Sequence, residues 1–528
     1  MRNLILILMT VAAICVNAAD LENSDKGLKP FVWAHYTAWH NPWNADYSVK
    51  NYYSYPVLPG RFTSQKAAYQ AEIELAQSQG MNGFLVDIVL REQSAAFVSQ
   101  THALLEAARG TTFQVGICCD GFCSEEWLIK QLEGMLKRFG GHPNYPKVGN
   151  KYVVATYAWK GRSPESWLAI RKAMAEKGYD IYLIANLEHP FKQFDPKFVE
   201  KYAGTFEMLY SFGHSSLSYE PEMSLIEKHN QSAQDANAEF MATVWPGYQG
   251  AWLGGRNDYY QPFLGFDQVL KHYDAIFKLD PRWIHFTTWN DHDETSFMPL
   301  RFEFGGNAVI NRYMLNRWRK QPLPEDEQVL FAYHREEMLG SVLRIEALLL
   351  PGKKSRTVTL SGRLKSMDGE TVYTLPERKL TAPDSKHYAV LEWNIPTGEF
   401  AKNAIVVPEF TVRGEHETRT ADLPAVVFRT GWIENQATIK APFAAFASPA
   451  TASLQVSQTN NVLDATVSIN SDAQVTRATL FRNNRPIAMM TPEKPALPQL
   501  NLLARIRKGG GELKIANGTF ISAGRQLT

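Results

Sequence analysis

The sequence predicts an α/β fold: a closed (β/α)8 barrel of the TIM type, followed by C-terminal β-sandwich modules. Between residues 30 and 320, short β-rich runs alternate with longer amphipathic periods. Eight such runs over about 290 residues match the size of a (β/α)8 barrel. No Gly-rich phosphate loop follows the first run, which argues against an open dinucleotide-binding sheet.

The chain opens MRNLILILMTVAAICVNAAD. Arg2 supplies a positive start, Leu4 to Val16 an apolar stretch, and Val16-Asn17-Ala18 a small-residue cleavage pattern. Residues 1–18 therefore read as a signal peptide, and the mature protein as secreted or periplasmic. No other stretch approaches the ~18 apolar residues of a membrane span. The predicted strands are 30-PFVWAHY-36, 82-NGFLVDI-88, 112-TFQVGIC-118, 151-KYVVATY-157, 180-DIYLIAN-186, 205-TFEMLY-210, 240-FMATVW-245 and 283-WIHFTTW-289. Between them, 65–80, 124–140, 164–178 and 266–279 carry apolar residues at helical spacing.

The barrel is expected over 28–320. The polar, Pro-containing 319-RKQPLPEDEQ-328 suits a linker. Alternating runs at 340–350, 355–364, 388–395 and 404–413 then predict a β-sandwich over 328–438. The small-residue stretch 441-APFAAFASPATAS-453 reads as a second linker. A second β-rich module is expected over 450–528, without a clear closing strand.

Net charge is +1, with Lys and Arg dispersed, so nothing points to nucleic acid or an anionic membrane surface. Oligomeric state is not readable. Cys118, Cys119 and Cys123 lie together and form no disulfide framework. His189 and His214 lack a metal-ligand spacing, and no metal or cofactor is expected.

In such a barrel the C-terminal strand ends converge on one mouth, which carries the chemistry. The first strand ends at His35 and Tyr36, with Trp39 beyond; Asp87, Asp120 and Tyr157 end the next three. Trp245 and Tyr248 follow the seventh. The last strand runs into Trp289, Asn290, Asp291, His292, Asp293 and Glu294. Carboxylates and rings with few cations disfavour an anionic substrate. They favour a hydroxyl-rich one, whose OH groups bond carboxylates and whose CH faces lie on rings.

A polysaccharide is thus the expected partner, and Asp291 with Glu294 the expected acid–base pair. Their spacing of three residues allows both the shorter retaining and the longer inverting separation. The other residues named are candidate substrate contacts. Each also has a plainer use: the acids as caps or ion-pair members, the rings as packing.

The stretch 289-WNDHDETSFMPL-300 resembles the WNDYGES motif of glycoside hydrolase family 71, the α-1,3-glucanases or mutanases. Also similar are 245-WPGYQG-250, 266-FDQVLKHYDAIFKLDPRWIHFTTWND-291, 141-GHPNYPKVGNKYVVATY-157 and 32-VWAHYTAW-39. The endo-α-mannosidases of family 99 are a related second candidate. The resemblance implies an endo-acting, inverting hydrolase of α-linked glucan, with Asp291 as general base and Glu294 as general acid. His292 and Asp293 depart from the motif's Tyr and Gly, so Asp293 adds a carboxylate beside the pair. A non-catalytic carbohydrate-binding surface protein is the competing reading.

Overall fold

The computed structural model describes residues 21–23, 27–39, 64–90, 94–121, 123–157, 162–186, 195–212, 219–245, 248–249, 260–261, 265–291, 305–334, 336–366, 368–384, 387–398, 400, 405–423, 425–429 and 437–440, and the strands from 450 to 521. The predicted signal peptide and most of the second linker lie outside these residues.

Eight parallel strands form the barrel: β1 Phe31–Thr37, β2 Gly83–Val89, β3 Gln114–Asp120, β4 Lys151–Thr156, β5 Ile181–Asn186, β6 Met208–Tyr210, β7 Glu239–Val244 and β8 Trp283–Phe286. Their order is β3-β2-β1-β8-β7-β6-β5-β4, and the pairing of β3 with β4 closes the ring. The helices are α1 Gln65–Ser78, α2 Ser94–Ala108, α3 Glu125–Phe139, α4 Pro164–Glu176, α5 Pro196–Glu200, α6 Tyr219–Asp235, α7 Phe266–Leu279 and α8 Gly305–Trp318. Ser64, Ser124 and Ser163 start α1, α3 and α4 by accepting a first-turn N–H on their hydroxyls.

Strand alternation divides the core in two. Val32, Ala34, Tyr36, Phe84, Val86 and Ile88 face outward and join the apolar layer beneath the helices. Trp33, Leu85, Cys118, Val153, Ile184, Tyr210, Met241 and Trp283 face inward. Near the strand N-termini the interior is sealed by rings. Phe31 and Trp33 are 4.4 Å apart, and Trp283 lies 5.8 Å from both Trp33 and Tyr182. The Trp33 ring occupies the space a side chain at position 83 would need: a Cβ on Gly83 would stand 2.7 Å from it.

Beyond the barrel, strands 328–334, 342–350, 389–396 and 437–440 form one sheet, and 336–338, 357–365, 371–381, 405–413, 418–422 and 426–429 another. The first sheet serves two cores. Leu330, Ala332, Leu348 and Leu350 join the barrel's outer layer, whereas Phe331, Tyr333, Ile345, Ala347 and Leu349 pack into the sandwich.

Two further ties fasten α7 to this sheet. Glu346 accepts the Phe266 N–H at 2.9 Å, capping α7 where Gly265 has no side chain to offer, and Tyr388 donates to Asp274 at 2.6 Å. Gly265 has φ +69°, and a Cβ there would run into the Glu346 carboxylate.

In the last region, strands 450–459, 462–471, 499–507 and 510–515 pair in order, and 478–482, 485–491 and 519–521 form a second small sheet. Strand 499–507 is one the sequence reading did not identify. Its Leu500, Leu503 and Ile506 fall at helical spacing as well as within an apolar run.

Candidate active site

The C-terminal half of the barrel interior is polar. Inward-facing His35 on β1 is hydrogen-bonded to Asp87 on β2, Nε2 to Oδ2 at 3.1 Å, and both are buried. The His35 ring meets the edge of Phe212 at 4.6 Å and stands 6.0 Å from His285 on β8. Nδ1 of His285 lies 3.3 Å from the Thr287 hydroxyl and 3.5 Å from that of Thr243, which itself donates to the Ser211 carbonyl at 2.5 Å.

Burial, with His35 nearby, holds the His285 imidazole well below its ordinary range, so it is neutral at pH 7. Burial likewise pushes the Cys118 thiol up, and the Tyr210 phenol 3.8 Å from it; neither ionises at neutral pH. Three polar atoms here, His35 Nδ1, Asp87 Oδ1 and His285 Nε2, are buried without a partner among the described residues.

The chain leaving β8 is laced to β1. Trp289 donates its backbone N–H to the His35 carbonyl at 2.6 Å. The Asn290 side chain accepts from the Thr37 N–H at 2.7 Å and from its hydroxyl at 2.9 Å, and returns a bond to the Thr37 carbonyl at 3.0 Å. This clamp delivers Asp291 to the rim, where its own N–H is held by the Thr288 hydroxyl at 2.8 Å. Asp291 is 6% exposed.

The candidate contacts divide accordingly. Asp87 and His35 meet in the upper interior. Asp120 and Tyr157, both half-buried, end β3 and follow β4, and Tyr157 sits edge-on to Phe212 at 4.7 Å. Trp245 is buried at the end of β7. Trp39, 39% exposed, stands past β1 with its ring 6.1 Å from Phe97.

Three of the candidates are engaged in the protein itself. Tyr36 faces outward and gives its hydroxyl to Glu72 on α1 at 2.7 Å. Trp289 is buried in the same outer layer, 5.4 Å from Phe84. Asn290 is buried and engaged as a clamp. For Tyr36 the reason is strand parity: neighbours on a strand point to opposite faces, and Tyr36 follows inward-facing His35. Trp289 and Asn290 lie past the end of β8, where that alternation no longer holds.

Tyr248 lies in a short antiparallel pairing with Gln261, and its side chain lies outside the described residues. His292, Asp293 and Glu294 also lie outside them. Sequence reasoning missed His285, Thr243 and Phe212. The signal for His285 and Thr243 was present, as polar side chains at inward positions of otherwise apolar strands.

Among the described residues no group of three or more His, Cys, Asp or Glu could hold a metal ion. No helix among them is long and apolar enough to cross a membrane.

A closed parallel barrel carries a carboxylate just past its last strand, with acids, hydroxyls and rings around its mouth, and a family match makes it a glycoside hydrolase. Residues 59–309, from before α1 into α8, match the family model described as Glycosyl hydrolase family 71, the family the 289–300 stretch resembles. No curated protein matches the chain.

Among solved structures, the chain is similar to the GH99 endo-α-mannosidase from Bacteroides thetaiotaomicron, at 14% identity and TM-score 0.46, covering 56% of this chain and 98% of that one. It is also similar to a Parabacteroides merdae β-glucuronidase, at 10% identity and TM-score 0.40, covering 93% and 63%. A Bacteroides cellulosilyticus glycosyl hydrolase family 2 member follows at 10% identity and TM-score 0.42, covering 94% and 61%.

Proposed function

We propose that this glycoside hydrolase cleaves an α-linked polysaccharide within the chain, as an inverting α-1,3-glucanase would, and that it acts after export to the periplasm or medium. The observation that carries the reading is the clamp. Four hydrogen bonds between Trp289–Asn290 and His35–Thr37 hold the rim residue Asp291 at the mouth. A base needs that fixity, because its oxygen must meet a water aligned with the anomeric carbon.

In this reading Asp291 takes a proton from water as the water's oxygen bonds to the anomeric carbon. Glu294 gives its proton to the glycosidic oxygen as the C–O bond breaks. Trp39 and Tyr157 offer rings to sugar CH faces. Asp87 and His35, with Oδ1 and Nδ1 still to be satisfied, bond hydroxyls, and Asp120, Trp245, Tyr248 and His292 complete the contacts. Buried polar atoms gain most from a ligand that bonds them, and a sugar supplies such hydroxyls.

The test is a screen of α-1,3-glucan, α-1,4-glucan and α-mannan for new reducing ends, with NMR of the anomer released first. Release of the β-anomer from α-1,3-glucan supports the reading. Cleavage of α-mannan instead would favour the endo-α-mannosidase alternative, and retention would exclude Asp291 as a base acting on water. Sequencing the mature N-terminus would test export.

A further inference from the structure

The outward faces of β1 and of the chain after β8 meet at one carboxyl. Glu72, midway along α1, is buried among Ala68, Tyr69, Ile73 and Ala76. Its Oε2 accepts the Tyr36 hydroxyl at 2.7 Å, and the Trp289 indole lies beside the same carboxyl. The Phe84 ring packs against both partners, 4.9 Å from Tyr36 and 5.4 Å from Trp289.

A carboxyl on the apolar face of a helix is costly to bury, and it asks for a compensating role. The two rings it touches belong to the two segments that the Asn290 clamp joins from the other side. Trp289 is two residues from Asp291.

We infer that Glu72 is a positioning residue for Asp291: from behind the barrel wall it fixes Tyr36 and Trp289, and through them the backbone that aims the rim carboxylate. It touches no substrate. The inference rests on the reading of Asp291 as the base. Burial pushes the Glu72 carboxyl up to about 8, so the group is neutral at pH 7 and ionises on the alkaline side. The titratable groups facing it are phenols, Tyr36 from β1 and Tyr69 from its own helix, and burial pushes Tyr69 up as well.

The test uses the full chain with Glu72→Ala, Glu72→Gln and Tyr36→Phe, scored by kcat and KM across pH. Amide exchange of the peptide spanning Trp289 and Asp291 is followed alongside. Displacement of the base lowers kcat about tenfold in Glu72→Ala and Tyr36→Phe while KM stays within about twofold, and speeds exchange at 289–291. Glu72→Gln keeps an acceptor for Tyr36, so it recovers most of the activity lost in Glu72→Ala.

Tyr36→Phe carries the test if Glu72→Ala does not fold. Wild-type kcat and exchange in Tyr36→Phe and Glu72→Ala would overturn the inference. Asp291→Asn separates the two readings. Inactive Asp291→Asn beside unaltered Tyr36→Phe rejects the positioning role alone, whereas active Asp291→Asn rejects the base assignment itself.

Discussion

The two halves of the barrel interior differ along the strand direction. Toward the strand N-termini, Phe31, Trp33, Tyr182 and Trp283 pack ring against ring with a glycine opposite. One or two pleats higher, the same strands present His35, Asp87, Thr243 and His285 in hydrogen-bonded contact, with three polar atoms left over. The lower half gains stability from apolar area removed from water. The upper half keeps polar atoms buried, an arrangement costly for a fold alone and useful once a hydroxyl-rich ligand arrives. One barrel thus separates a ring-packed apolar half from the polar half that forms the candidate site.

Four measurements would break or sharpen that division. The largest effect is expected at the rim: Asp291→Asn lowers kcat/KM by about 10³-fold, measured as reducing ends released from α-glucan, with Tm nearly unchanged. Trp283→Ala, at the sealed end, does the opposite. It destabilises by about 3–5 kcal/mol in denaturant melts, while the folded fraction retains its kcat. A large loss of kcat there would mean the two halves are coupled.

Between these extremes, Asp87→Asn raises KM about tenfold and costs about 1 kcal/mol of stability, because the amide keeps a partner for His35 but loses the charge offered to sugar. The last measurement is a pH trend. Glu72 holds its proton in the folded protein up to about 8, and an unfolded glutamate releases it near pH 4.5. Between those values the native state binds the extra proton, so stability falls as pH rises, by at most about 1.4 kcal/mol per unit from this group. Melts from pH 4.5 to 8 should show that slope in the wild type and a flatter one in Glu72→Gln.

The sandwich offers a second contrast. Strand 342–350 was legible as a sandwich strand. Its consecutive apolar residues Ala347 to Leu350 also carried the sign of burial on both faces, which alternation alone does not produce. Which neighbour covers the second face was not legible. The answer, the barrel's outer layer, comes from residues far away in sequence.

Glu72 is a similar case. It falls on the stripe of Tyr69, Ile73 and Ala76, at helical spacing, and a charged residue in such a stripe is a detectable misfit. Its partners Tyr36 and Trp289 could not be read from that misfit.

The sequence by itself determined the barrel, through period-two apolar runs separated by helical ones. It also placed acids and rings at the strand ends, because strand length is a local property. Only the tertiary structure decided which neighbours face the mouth. His35 and Tyr36 are neighbours at the same strand end, and a shift of one residue would reverse their faces. That parity is settled by ring closure, where β8 meets β1 across some 250 residues of chain.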